Sequence, residues 1–527
     1  MDPKVLEAAR AAFPAGGPAL VLGGVVHDGE CDPEPVVRLP LAMANRHGLI
    51  AGATGTGKTK TLQLLAEQFS AAGVPVFLAD LKGDLSGIAV AGKTDDRVTQ
   101  RAKDTGYAWH AAGCPTEFLS LTGSAGAQLR ATVSSFGPLL LSRVMGLNDT
   151  QSSVLSLVFK YADDKHLPLL DLADLRAVLQ YLSGDGADEL KDYGGMSKAT
   201  VGVLLREMVE LSQQGADVFF GEPEFDLNDL LRVDGGRGIV SVLELSDVQE
   251  KPALFSTFMM WMLARLYHDL PEVGDVEKPK LVFFFDEAHL LFDDANKAFL
   301  DQIEQVVRLI RSKGVGVYFV TQNPKDVPST VLGQLGHRVQ HALRAFTPDD
   351  DKALQAAART YPKTPFYEVE KTLTSLGIGE AFVTVLTPQG TPTMPFATRM
   401  VPPGSRMGPL AADEMRQHLM VSDQVQHYAT AVDRESAREM LAARVAVSAQ
   451  ASRDAAAPAA PASAGGMAAP QAGGTEAAIA GAAAVVGAAL SSPIARAMAT
   501  SVARSVGTQL ARGLMGALLG GATRRRR

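Results

Sequence analysis

"LIAGATGTGKTKTLQLL", residues 49–65, decides the fold. An apolar run, Leu49-Ile50-Ala51, enters Gly52, and the spacing G-x-x-x-x-G-K-[ST] closes on Gly57, Lys58 and Thr59. Gly52, Gly55 and Gly57 let backbone N–H groups turn inward around phosphate oxygens, where a β-carbon would obstruct. Ala53, Thr54 and Thr56 complete the loop. Lys58 is placed to reach the β- and γ-phosphates and the Thr59 hydroxyl to ligate Mg²⁺. The helix that follows aims its N-terminus at the same anion. The stretch therefore predicts a nucleoside triphosphate cradle between a strand and a helix.

"LVFFFDEAH" (281–289) supplies the second half of such a site. Five apolar residues predict a buried strand. Asp286 at its end is placed to hold Mg²⁺ through a water, and Glu287 to polarise an attacking water. Asp286 and Glu287 in tandem favour the glutamate-using, strand-inserted ATPases over kinases and GTPases. The strand "GVGVYFVTQ" (314–322) ends on Gln322, which reads either as a γ-phosphate sensor or as a strand-end cap. Arg308 and Arg311 lie three apart near a helix end. They read either as an arginine finger for a neighbouring subunit or as a solvated face complementing the helix dipole. Asp80, Lys82 and Asp84 in "ADLKGDL" (79–85) follow a predicted parallel strand, at the edge where α/β sheets place their sites. A plain strand exit fits them equally.

Continuous apolar runs at 47–52 and 74–80 suggest a parallel sheet buried on both faces, hence α/β architecture. The predicted order starts with a short helix and strands near 19–26 and 36–41, in a leading segment 1–46. A RecA-like core of mostly parallel sheet follows over 47–404. A helical insert is expected over about 140–215, its helices announced by Asn or Asp near their starts. The sheet resumes at 236–245 and closes with a hairpin near 380–400. A helical segment is expected over 405–450 and an Ala/Pro/Gly linker over 451–475. From Ile494, within a tail spanning 476–527, apolar residues recur every four from Met498 to Leu518, with Arg496, Arg504 and Arg512 spaced by eight and falling roughly opposite them. This disordered-to-helical tail, closing on Arg524–Arg527, reads as a basic amphipathic helix. It suits a membrane surface, a partner, DNA, or the protein's own oligomer.

Bulk properties narrow the class. The chain has 527 residues, 46% apolar and 20% charged, a globular balance. Its two cysteines form no metal or redox pattern, and its net charge of −8 argues against passive coating of nucleic acid. The first residues lack the apolar run of a signal peptide, and nothing before 475 is apolar enough to span a bilayer, so cytoplasmic placement is expected. "DEAH" lies too far from the loop for the helicase box of that name. "NPKD" (323–326) is not the N-K-x-D that reads guanine, which favours ATP, and "LSGDG" (182–186) is not the transport-ATPase signature.

Several stretches together resemble the HerA–FtsK branch of P-loop ATPases, most of all the bacterial HerA-like helicases of unknown function. They are "RLPLAMANRHGLIAGATGTGKTKTLQ", "DLKGDLSG", "FFFDEAHLLF", "IRSKGVGVYFVTQNPKDVP", "LGQLGHRVQHALRAFTPDDDKAL" and "VDRESARE". The resemblance implies Lys58 and Thr59 as the loop pair, Asp286 and Glu287 as metal and water residues, and Gln322 as sensor. It implies Arg311 as the intersubunit arginine, with Arg344 competing. It further implies a hexameric ring of self-associated subunits that hydrolyses ATP with Mg²⁺ and moves DNA. About 50 residues ahead of the loop are too few for the β-barrel of archaeal relatives, so a HerA-type nuclease partner is not expected; nor is strand separation, because the helicase name is inherited from distant relatives. Two other readings stay open: an ATPase with a protein or membrane-associated client, and a slow nucleotide-dependent interaction switch.

Overall fold

The computed structural model describes residues 1–249, 251–292 and 297–456. Its strands are β1 (Ala19–His27), β2 (Glu30–Pro40), β3 (Gly48–Ala51), β4 (Val76–Asp80), β5 (Thr116–Ser120), β6 (Ala127–Gln128), β7 (Val233–Asp234), β8 (Arg237–Gly238), β9 (Val240–Glu244), β10 (Leu281–Phe285), β11 (Val315–Thr321), β12 (His337–His341), β13 (Glu380–Thr384) and β14 (Phe396–Met400). Twelve of these form one sheet in the order β2-β1-β14-β13-β12-β3-β11-β10-β4-β9-β5-β6, while β7 and β8 pair separately. From β12 to β6 every neighbour is parallel. At the other end β13, β14, β1 and β2 join antiparallel, and the 380–400 hairpin is the link. The chain is thus α/β, a RecA-like core with a mostly parallel sheet.

Parallel strands need crossovers, and helices on both faces bury them. In β10 the alternation separates two cores. Leu281, Phe283 and Phe285 enter one, and Val282 and Phe284 the other. The first core holds the helices Val133–Val144, Asp149–Asp164, Leu172–Ser183, Lys198–Gln213 and Pro252–Asp269. Asn148 and Asp171 cap the second and third through capping boxes, whereas Ser197 caps the fourth, so the Asn/Asp signal holds for two of the three helices read from sequence. The second core holds the loop helix Lys58–Ala71 and the first helix Pro3–Ala12.

The loop helix is buried along most of its length. Past β14 the chain straps across it. Glu67 accepts from the backbone N–H of Gly404 (2.7 Å) and Ser405 (3.0 Å), and Gln63 donates to Ser405 Oγ (2.7 Å). Further on, a helix over Ala437–Ala456 docks on the Leu172–Ser183 helix, where Arg438 N donates to Asp174 Oδ1 at 3.0 Å. That helix runs six residues into the tract expected as linker, because Ala and Ser there continue its turns as readily as they loop. The rest of the linker and the basic tail lie outside the described residues. Among the described residues, no helix is long and apolar enough to cross a membrane.

Candidate active site

The phosphate loop joins β3 to the Lys58–Ala71 helix. Gly52 and Gly57 both hold positive φ, +153° and +118°. A β-carbon on Gly52 would lie 2.5 Å from His341 Cβ, closer than any side chain tolerates. Gly57 is the N-cap residue, so the free N–H groups of the first helical turn open into the loop. Within the loop Ala53 O accepts from Thr56 Oγ1 (2.7 Å) and Lys58 Nζ (3.3 Å), while Thr54 and Gly55 stand exposed at the crest. Burial draws the Lys58 ammonium down from its usual range, and the Glu287 and Asp286 carboxylates oppose that.

β11 lies between β3 and β10, so the carboxyl ends of all three strands meet at this loop. Asp286 and Glu287 follow β10 directly and are 7% and 4% exposed, deep enough for their charges to depend on each other. Burial, then the neighbouring Glu287, raises the Asp286 carboxyl to about 7. Asp286 Oδ2 is buried without a hydrogen-bond partner. Burial pushes Glu287 up as well, but Lys82, His289 and Gln322 outweigh it and hold the carboxylate below its usual range. Glu287 sits at φ +48°, a left-handed conformation that a non-glycine residue rarely holds and that is frequent at functional sites. The structure thus gathers Gly52 to Thr59, Asp286, Glu287 and Gln322 around one space.

The loop meets a magnesium ion's requirements in outline. A threonine hydroxyl, Thr59, sits in the first turn of the helix, and an orphaned buried carboxylate oxygen lies on Asp286. No group of three or more His, Cys, Asp or Glu among the described residues could hold a metal by itself. A magnesium ion shared between phosphates, waters and one or two protein oxygens does not need such a cage.

Three residues extend the site beyond the sequence reading. Lys82, left open there, forms an ion pair with Glu287 Oε1. His341 ends β12 against the loop; its Nδ1 donates to Glu380 O (2.9 Å), and its Nε2 accepts from Thr61 Oγ1 (2.9 Å). Burial lowers that imidazole to about 4, so it is neutral packing rather than a base. Arg101 donates to the carbonyls of Ile378 (2.8 Å) and Gly379 (3.2 Å), beside the loop, and no motif marks it.

The arginines fall elsewhere. The helix carrying Arg308 ends at Ile310, and Arg311 opens the short turn Arg311–Lys313 at the amino end of β11. β11 has seven residues, which puts Arg311 roughly 20 Å from its own loop. Arg308 is exposed, and Arg311 is partly buried beside Arg46. Arg344 is exposed two residues past Ala342, whose carbonyl accepts from Ala53 N at 2.8 Å, so it stands at the loop's own edge.

A phosphate cradle on a RecA-like sheet, with an acidic pair across an inserted strand, defines a P-loop protein of the kind its motifs resemble. The chain belongs to the HerA-like helicase C-terminal family, whose model matches residues 27–527. It is similar to the probable DNA double-strand break repair helicase HerA of Methanocaldococcus jannaschii, 34% identical over 110 residues, covering 20% of each chain. A probable helicase of the same organism is 28% identical over 154 residues, covering 27% of this chain and 28% of that one. The matches thus span well under half of those relatives' length. Among solved structures, the plasmid coupling protein TrwB with a non-hydrolysable GTP analogue has a TM-score of 0.49 at 15% identity, covering 75% of this chain and 98% of that one. VirB4 of Thermoanaerobacter pseudethanolicus has a TM-score of 0.46 at 16% identity, covering 76% and 98%.

Proposed function

We propose that this protein is an ATPase of the HerA/FtsK type that hydrolyses ATP to ADP and phosphate and couples the cycle to movement along DNA. The observation that carries the hydrolytic half is Glu287, a buried carboxylate held ionised beside Lys58, Lys82 and Gln322 at the end of the strand next to β11. Loop N–H groups and Lys58 bind the β- and γ-phosphates. Thr59 and Asp286 would hold Mg²⁺, which would supply neutralising charge at the phosphate oxygens. Gln322 orients a water, and Glu287 accepts its proton as oxygen bonds to the γ-phosphorus and the bond to the bridging oxygen breaks.

DNA as the track rests on the family and on the helicase names of its relatives, and a hexameric ring as the assembly rests on the resemblance of its motifs. Arg311, far from its own loop, suits an arginine that acts on a neighbour's nucleotide. The test is steady-state ATP turnover with and without single- or double-stranded DNA at two salt concentrations, with Lys58→Ala as the blank. Salt-sensitive stimulation supports phosphate contacts coupled to turnover. Turnover that ignores DNA but vanishes in the blank keeps the ATPase and removes DNA as its track, leaving a protein or membrane-associated client.

A further inference from the structure

The loop after β4 carries an ammonium into the catalytic space. Asp80, fully buried, fixes that loop by accepting from four successive backbone N–H groups, with 2.8 Å bonds from Gly83 and Leu85 and longer ones from Lys82 and Asp84. β4 pairs with β10, Ala79 opposite Phe285, which sets the loop against the residues following β10. From this anchored base Lys82 reaches Glu287 Oε1. Its side chain is 47% exposed while that of Glu287 is 5%, so the carboxylate is fixed and the ammonium is the member able to move. Lys58 feels both charges. Two ammonium groups, one on the helix after β3 and one in the loop after β4, thus share one space with Glu287.

A carboxylate engaged by an ammonium is a poor acceptor for a water proton, so Glu287 acts only when Lys82 takes another anion. Resting on the ATPase reading above, we propose that Lys82 is a positioning residue that exchanges Glu287 for the γ-phosphate of bound ATP. The exchange frees the carboxylate when a triphosphate is in place. ADP offers no γ-phosphate, so Lys82 stays on Glu287 and the site remains inactive towards water. Lys82 thereby discriminates triphosphate from diphosphate and ties that discrimination to the proton acceptor.

The test compares full-length wild type, Lys82→Met and Lys82→Arg for binding of ADP and of a β,γ-imido ATP analogue, and for kcat. Loss of a charge-assisted contact confined to the triphosphate weakens analogue binding about tenfold in Lys82→Met, with ADP affinity within about twofold of wild type. Turnover at saturating ATP falls because the γ-phosphate loses the charge that Lys82 brings to it as the bond breaks, and Lys82→Arg restores most of both losses. Unchanged ADP binding also shows that the variant is folded. Analogue and ADP affinities falling together, with no rescue by arginine, would make Lys82 a structural support and overturn the exchange. Unaltered analogue binding would overturn it as well. If wild type binds neither nucleotide, or Lys58→Ala binds both as wild type does, the ATPase reading itself falls and takes this inference with it.

Discussion

The backbone N–H of Gly379 donates to the carbonyl of Thr56 at 2.9 Å, tying the entry of β13 to the phosphate loop. The antiparallel end of the sheet is therefore part of the nucleotide site. Arg101 holds the same turn through the Ile378 and Gly379 carbonyls, and Arg399 bridges Glu380 (2.9 Å) and Asp104 (3.2 Å) next to it. Arg101→Ala releases the turn without touching the loop itself. A guanidinium-to-carbonyl pair is worth about 1.5–3 kcal/mol, so KM for ATP rises about ten- to a hundredfold while kcat holds within about twofold. Initial rates against ATP concentration check this; an unchanged KM would detach the turn from binding.

Glu287 separates binding from chemistry. Glu287→Gln keeps the shape of the site and removes the proton acceptor, so nucleotide still binds and turnover falls about 10²–10⁴-fold. Single-turnover hydrolysis beside equilibrium binding shows it. Turnover within about threefold of wild type would take Glu287 out of the reaction.

The elements that read clearly from the sequence are those whose burial follows apolar runs: β3, β4, β10 and β11, with Asp286 and Glu287 legible because they end such a run. β12 escaped, since "HRVQH" shows no apolar pattern; His337 and His341 are buried because hydrogen bonds, not hydrophobicity, satisfy them, and the Gln340 amide donates to His341 O. The helix Pro252–Asp269 escaped for the opposite reason. It is apolar on most sides, with Trp261 and Met262 fully buried, and shows no amphipathic stripe. Lys82 and Glu287 are 205 residues apart, and only the pairing of β4 with β10 makes them partners. Arg101 acts through a fixed guanidinium on two carbonyls, a contact without a sequence pattern.

Glu244 gives the fold a pH signature. It ends β9 at 5% exposed, its Oε1 lacks a partner, and burial, then Asp80, raises its carboxyl from an ordinary 4.5 to about 8. The folded state keeps this proton longer than the unfolded state. The contribution is therefore fully present below about pH 4.5 and is lost as pH rises towards 8. Glu244→Gln removes that loss. Relative to wild type it gains on the order of 2 kcal/mol between pH 5.5 and pH 8.5. Thermal unfolding of both proteins at the two pH values tests it, and parallel curves at both would count against a buried proton at Glu244.

Arg311 decides whether the site is completed by a second subunit. It lies at the amino end of β11, while Thr321 at the other end accepts from Gly52 N at 3.3 Å, so Arg311 and its own phosphate loop occupy opposite edges of the sheet. Contact with a nucleotide therefore requires a neighbouring copy. Arg311→Ala is then defective as a donor of the arginine but keeps an intact loop, and Lys58→Ala has the reverse defect. Mixed in one ring, the two produce some interfaces carrying both wild-type residues, and turnover recovers to a fraction set by the mixing ratio. Fingers of this kind contribute about 10³–10⁵ in rate where they operate, so even a minority of complete interfaces stands well above either parent. Arg344→Ala in place of Arg311→Ala is the control, because Arg344 stands at the edge of its own loop. Rescue with the Arg311 variant and none with the Arg344 variant assigns the intersubunit role to Arg311. The reverse pattern assigns it to Arg344, and absence of rescue from both at every ratio removes the shared site.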